Sequence, residues 1–194
     1  MTFNKTITKE EIAIMPMEEF AGQIVIVNTK EQLKDALLHL SFFSEIGFDT
    51  ETRPEFTKNS HHKMALMQLS SADTCYLIRL NKFPQFPKIL ERFLKNKNIK
   101  KIGLSLRDDF NKLHSLTKID PDNVIDLQQY VRQFGIEEMS LQKIYAILFG
   151  KKISKSKQLS NWDAAFLTWP QMRYAALDAW SCLRIYQFLE SMKL

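Results

Sequence analysis

The stretch from Ile46 to Thr52, Ile-Gly-Phe-Asp-Thr-Glu-Thr, constrains the fold most, because it has the pattern of a buried strand that carries two acids. Side chains alternate across a strand, so Asp49 and Glu51 lie on the same face. Two neighbouring carboxylates repel each other and are costly to bury unpaired. A hard cation such as Mg²⁺ or Mn²⁺, which prefers oxygen ligands, would remove that cost. An exposed Asp-x-Glu at a strand end is the alternative interpretation.

The composition is typical of one globular domain: 194 residues, 45% of them hydrophobic and 25% charged. The net charge of +5 is compatible with a polyanionic partner but does not demonstrate one. Cys75 and Cys182 each lie in an apolar segment, which favours reduced thiols and a cytoplasmic location. We expect no membrane partner, because the first residues lack the apolar run of a signal peptide and no stretch approaches the ~18 apolar residues of a membrane helix.

Hydrophobic periodicity and capping signals predict an α/β fold. Met64–Ser70 is apolar on both faces, so we expect this strand in the middle of a sheet. Three adjacent strands followed by alternating strands and helices predict a mixed sheet flanked by helices in a single domain. The predicted strands are Gln23–Val27, Ile46–Thr52, Met64–Ser70, Cys75–Leu80, Ile99–Leu104 and Val124–Asp126, and the predicted helices are Thr8–Met15, Lys30–Leu40, Lys88–Leu94, Leu106–Leu116, Leu127–Phe134, Ser140–Phe149 and Pro170–Glu190.

Two of the predicted helices carry further acids. Asp109 borders the apolar stripe of its helix, whereas Asp108 is rotated away and can pair with Lys112 at i+4. In the last helix Tyr174 and Asp178 are also at i and i+4, so they share a face. Judged alone, that helix would be an ordinary amphipathic helix with a polar shoulder.

Together these residues resemble the DEDD superfamily of 3′–5′ exonucleases, in the tyrosine-containing subgroup that includes ribonuclease D and the Werner-type exonuclease domain. The resemblance covers residues 23–194 and leaves residues 1–22 as an N-terminal extension without an assigned role. The segments similar to the three family motifs are Gly47–Glu51, Ile102–Asp109 and Tyr174–Ala179; Lys157–Trp162 and Leu167–Gln171 are similar to further family segments.

The resemblance implies a ribonuclease-H-like fold and hydrolysis of DNA or RNA from the 3′ end with two divalent cations, Mg²⁺ or Mn²⁺, releasing nucleoside 5′-monophosphates. Asp49, Glu51 and Asp178 would hold one cation, and Asp49 with Asp109 the other. Tyr174 would hydrogen-bond the attacking water. A phenol with a pKa near 10 is a poor general base at neutral pH, so we assign Tyr174 an orienting role.

Other residues are weaker candidates for binding. Lys151, Lys152, Lys155 and Lys157 would track phosphates, although a solvated basic loop is an equal alternative. Trp162 would stack on a base or anchor the core. His61 and His62 suggest a transition-metal site only weakly, since no third ligand is suitably spaced. Asp126 would cap the following helix or support the site from behind.

Two other functions compete with the exonuclease hypothesis. The first is a non-catalytic nucleic-acid-binding module on the same fold, which the complete set of acids and tyrosine disfavours. The second is an endonuclease of ribonuclease-H type, which the Tyr-x-x-x-Asp helix disfavours.

Overall fold

A computed structural model describes residues 3–54 and 63–193, so the candidate pair His61 and His62 lies outside the described residues. The strands are β1 (Gln23–Val27), β2 (Glu45–Thr52), β3 (Met64–Ser70), β4 (Thr74–Arg79), β5 (Lys100–Gly103) and β6 (Val124–Asp126). The helices are α1 (Lys9–Ala13), α2 (Lys30–Leu40), α3 (Lys88–Leu94), α4 (Leu106–Leu113), α5 (Leu127–Tyr130), α6 (Leu141–Phe149) and α7 (Trp169–Ser191).

The six strands form one mixed sheet in the order β1-β4-β3-β2-β5-β6. β2 runs antiparallel to β3 and parallel to β5, and β1 pairs with β4 in parallel. β3 is buried along its whole length between β2 and β4, as its apolar sequence predicts. The predicted α/β class, a mixed sheet flanked by helices in one domain, is therefore confirmed.

Helices cover both faces of the sheet. α6 and α7 enclose one apolar cluster that includes Ala175, Ala176 and Ala179. α2, α3 and α4 enclose a second cluster on the opposite face, around Phe48 and Leu106. Gly47 explains how closely α7 approaches β2: a Cβ placed there would lie 1.9 Å from the carbonyl oxygen of Ala179. The acid-bearing strand thus meets the last helix with almost no space between their backbones.

The helix starts agree with the sequence better than some helix ends do. Thr8, Thr29 and Thr168 cap the starts of α1, α2 and α7, and each cap is completed by an acid or amide three residues later. The predicted Leu127–Phe134 helix is wrong as one element, because it is a single α-turn followed by a 3₁₀ turn that ends at Gly135 with φ +80°. No helix in the described part of the chain is long and apolar enough to cross a membrane.

The segment before β1 packs along α6 and α7. Ile7 and Ile12 contact Ala146, and the main chain of Met17 pairs with that of Lys152. Glu18 is 7% exposed and its carboxylate accepts hydrogen bonds from the Tyr145 hydroxyl at 2.7 Å and from Arg184 at 2.6 Å. These contacts fix the N-terminal segment beside the loop that follows α6.

Candidate active site

Three carboxylates from two elements converge at one end of the sheet. β2 presents Asp49 and Glu51 on the face covered by α7, and α7 contributes Asp178. Oxygen atoms of these three side chains all lie within 4.8 Å of one another. The close contact of Gly47 with the α7 backbone brings the two elements near enough for this to happen.

The three acids cannot all be ionised cheaply without a cation. Burial, followed by repulsion from the other acids, raises the pKa of Asp49 well above its usual value and that of Glu51 to about 9. Burial raises the pKa of Asp178 to about 7, although the Tyr174 hydroxyl and Lys155 oppose that rise. A set of three oxygen donors that repel one another suits a hard divalent cation, which would neutralise their charge.

Tyr174 lies one helical turn before Asp178 and lines the same cavity as the three acids. Burial and the neighbouring carboxylates raise the pKa of its phenol, so the hydroxyl stays protonated and can donate a hydrogen bond. Its ring packs against Trp162 with the ring centroids 6.1 Å apart. The hydroxyl is therefore held at the acids by packing of the ring behind it.

Asp109 lies near this cluster but outside the group of three. Its Oδ1 accepts a hydrogen bond from the hydroxyl of Thr50, the residue between the two acids of β2. Burial raises the pKa of Asp109 to about 6, which the Thr50 hydrogen bond and Lys112 oppose. Asp108 is exposed, and among the described residues it forms no ion pair with Lys112, which acts on Asp109 instead. The predicted inward orientation of Asp109 fits the structure, whereas the predicted Asp108–Lys112 pair is wrong.

Asp126 performs both of the roles that the sequence left open. It caps α5 by accepting a hydrogen bond from the Gln128 amide at 2.9 Å. Its carboxylate also accepts from the amides of Ser105 at 3.0 Å and Leu106 at 2.9 Å, at the start of α4. Asp126 therefore fixes the end of the helix on which Asp109 lies.

A sequence model described as 3′–5′ exonuclease matches residues 24–193 of this chain. The chain belongs to the 3′–5′ exonuclease family. This match confirms the predicted membership in the DEDD superfamily, and with it the prediction that the chain belongs to a family of enzymes.

Individual relatives support this assignment. The mouse bifunctional 3′–5′ exonuclease/ATP-dependent helicase WRN is 30% identical over 187 residues, covering 92% of this chain and 13% of the relative. The Aedes aegypti Nibbler EXO domain superposes with a TM-score of 0.80 at 25% identity and covers 90% of this chain and 91% of that one. Trypanosoma brucei ribonuclease D in complex with RNA U12, at 21% identity, shows a shared fold alone, with a TM-score of 0.78 over 88% of this chain and 63% of that one. The chain spans 13%, 28% and 27% of the first three curated relatives.

The cavity of this exonuclease-family domain has a volume of about 340 Å³ and contains one basic residue of the loop after α6. Lys155 lines it, together with Ser140, Gln142 and the acids. Lys151 instead contacts the buried Glu18 at 3.2 Å, and the Lys152 ammonium donates to the Ala13 carbonyl at 2.5 Å. Of the four predicted phosphate-tracking lysines, the structure thus brings only Lys155 to the acids.

Trp162 is fully buried against Tyr174. A ring without exposed surface cannot stack on a base in this conformation, so the prediction that Trp162 binds nucleic acid is not supported. The structure instead favours the alternative, in which Trp162 anchors the core. Its packing beneath the phenol gives it an indirect part in the site.

Two polar residues beside the acids were not predicted from the sequence. Thr50 lies between the two acids of β2, and its hydroxyl is the partner of Asp109. Gln68 pairs across the sheet with Asp49, and its fully buried amide has no hydrogen-bond partner among the described residues. A glutamine inside the otherwise apolar Met64–Leu69 run was the signal that could have indicated it.

We predict that Asp109 and Asp108 differ sharply when each is changed to Asn. Asp108→Asn should change activity little, because an exposed charge contributes roughly 0–1 kcal/mol. Asp109→Asn should nearly silence hydrolysis, because it removes the acid that faces the site beside Thr50. Turnover of purified variants with matched melting temperatures measures the difference, and the reverse ranking would show that the helix phase is misassigned.

Proposed function

We propose that this chain is a metal-dependent 3′–5′ exonuclease that hydrolyses DNA or RNA from the 3′ end and releases nucleoside 5′-monophosphates. The observation that carries the proposal is the convergence of Asp49, Glu51 and Asp178 within 4.8 Å, with Tyr174 lining the same cavity. Family membership supports the reaction class, and the acids suit the cations that it needs.

The acids are proposed to hold two divalent cations, Mg²⁺ or Mn²⁺. Asp49, Glu51 and Asp178 would hold one, and Asp49 with Asp109 the other. Such a pair of cations supplies charge stabilisation for both the attacking and the leaving oxygen of an in-line displacement. Thr50 holds the Asp109 carboxylate in place through its hydroxyl, and Asp126 holds the helix that carries it.

Tyr174 is proposed to orient the attacking water rather than to remove its proton. The raised pKa of its phenol keeps the hydroxyl protonated, which makes it a hydrogen-bond donor. Buried packing on Trp162 limits the positions that the ring can adopt. A fixed donor beside the acids would hold a water at a defined angle to the scissile phosphate.

The test is a degradation assay with DNA and RNA strands labelled at either the 3′ or the 5′ end, with Mg²⁺ or Mn²⁺. A 3′–5′ exonuclease removes the 3′ label at once and shortens the 5′-labelled strand stepwise. Internal cleavage would favour an endonuclease. Binding without cleavage under all of these conditions would favour the non-catalytic binding module.

Lysine changes should alter the salt dependence of binding according to where each side chain lies. We expect Lys155→Gln to reduce the slope of log affinity against log salt by ~0.7, the value for one phosphate contact to a single strand. Lys151→Gln should leave the slope unchanged, because Lys151 is engaged with Glu18. Fluorescence anisotropy titrations at several salt concentrations measure both slopes, and equal slopes for wild type and Lys155→Gln would remove Lys155 from the binding surface.

A further inference from the structure

A second cavity, of about 300 Å³, lies between α1 and the beginning of α6. Its described lining contains four lysines and no acidic residue. The lysines come from three separate parts of the chain: α1, α6 and the loop after α6. The lining is Lys9, Ile12, Ala13, Ser140, Gln142, Lys143, Lys152 and Lys155. We call this cavity the basic cleft.

The basic cleft adjoins the acid cavity. Ser140, Gln142 and Lys155 line both. A polymer whose end is bound at Asp49 and Asp178 would therefore have the basic cleft as an immediate neighbour. The two cavities differ in charge in the way that such a substrate requires. The acids, with the cations they would hold, lie at the bond to be cleaved. The lysines lie where the phosphates of the remaining backbone would pass.

The N-terminal segment builds one wall of the cleft and lies outside the part that matches the family, which begins at residue 24. Several contacts hold this wall in place. The Lys152 ammonium donates to the Ala13 carbonyl at 2.5 Å, and the Lys152 amide donates to the Pro16 carbonyl at 2.9 Å. Ile12 packs against Ala146 of α6. Lys9 is therefore presented from a docked helix.

The charges of the cleft are only partly neutralised within the protein. Lys143 pairs with Glu138 at 2.9 Å, and 31% of the Lys143 side chain stays exposed. Lys9 and Lys155 are exposed and form no ion pair among the described residues. Clustered lysines whose charges are only partly compensated attract a polyanion, and release of its counterions supplies the affinity.

We propose that the basic cleft binds phosphates of the nucleic-acid strand upstream of its 3′-terminal nucleotide, so that the N-terminal segment extends the substrate-binding surface. This inference rests on the proposed exonuclease function. It gives Lys9, Ile12 and Ala13 of the N-terminal extension a role and predicts that long single strands are better substrates than dinucleotides.

The test compares Lys9→Gln/Lys143→Gln with wild type on a single-stranded 12-mer and on a dinucleotide. Glutamine removes the charge but can still donate a hydrogen bond to Glu138. Losing two phosphate contacts should weaken 12-mer binding roughly 25-fold at 0.1 M salt and reduce the salt slope by ~1.4. Binding is measured in an Asp178→Asn background, which prevents hydrolysis, and kcat/KM for the 12-mer should fall relative to that for the dinucleotide.

Two further variants make the outcome decisive. Lys30→Gln/Lys34→Gln removes the same charge from α2, on the opposite face of the sheet, and should change neither the salt slope nor the ratio of kcat/KM values. Lys9→Arg/Lys143→Arg keeps the charge and should retain 12-mer binding. If wild type degrades both substrates and the glutamine variant keeps the wild-type slope and ratio, the basic cleft does not bind the strand. If wild type degrades neither substrate, the proposed function itself fails.

Discussion

Asp49→Asn is expected to remove hydrolysis almost completely, with a fall in kcat of at least about 10³-fold. Asp49 is the acid shared by both proposed cation sites, and cation charge stabilisation of several kcal/mol corresponds to a factor of ten per 1.36 kcal/mol. Wild type should likewise lose activity in excess chelator and regain it when Mg²⁺ or Mn²⁺ is added. Single-turnover cleavage of a 5′-labelled strand measures each of these rates.

The same variant should separate metal binding from stability. Saturating wild type at about 100 times Kd with Mn²⁺ should raise its Tm by roughly 5–10 °C, since binding to the folded state contributes about 2.7 kcal/mol. Asp49→Asn should lose this rise while melting no lower than metal-free wild type, because the substitution removes one of three mutually repelling, partly or fully buried acids.

Asp35→Asn is the matched control for Asp49→Asn. Asp35 is exposed on α2, on the far side of the sheet, so its variant should keep both the activity and the Mn²⁺-dependent rise in Tm. Undiminished hydrolysis by wild type in excess chelator would contradict the metal-dependent reaction. An active Asp49→Asn enzyme would show that the cations, if bound, are held elsewhere.

Local periodicity was sufficient to predict which residues share a face. Alternation along β2 placed Asp49 and Glu51 together, and i, i+4 spacing placed Tyr174 beside Asp178; the structure has both pairs lining one cavity. The close approach of α7 to the sheet at Gly47 and Ala179 then brings the two pairs together. Each of these inferences needs only neighbours within about one helical turn or one strand.

Long-range contacts account for what the sequence did not reveal. Lys151 belongs to a basic loop by pattern, but Glu18, 133 residues away, accepts its hydrogen bond. Thr50 is 59 residues from Asp109, and no local pattern links them. The sequence around Trp162 does not indicate whether its ring is exposed or buried. Its packing against Tyr174 decides this. Periodicity gives the direction of a side chain within its own element but not the partner that it meets.

Tyr174→Phe is expected to slow chemistry by ~10²–10⁴ in kcat, the range for a group that handles a proton or places a water. The substitution removes one hydroxyl and keeps the ring, so packing on Trp162 should survive. Since Asp49, Glu51 and Asp178 all remain, the Mn²⁺ affinity and the substrate Kd should change little. Single-turnover cleavage and calorimetric Mn²⁺ titration of wild type and variant measure the two quantities separately.

Tyr76→Phe removes the same single hydroxyl from β4, where the ring packs in the apolar cluster on the opposite face of the sheet, and should leave kcat unchanged. This control distinguishes the effect on kcat of removing the hydroxyl at Tyr174 from the general effect of removing any tyrosine hydroxyl. A Tyr174→Phe enzyme that cleaves at the wild-type rate would make Tyr174 a packing residue. A variant that loses Mn²⁺ together with activity would show that the hydroxyl supports Asp178 and the cation site, and the water-orienting role would then be wrong.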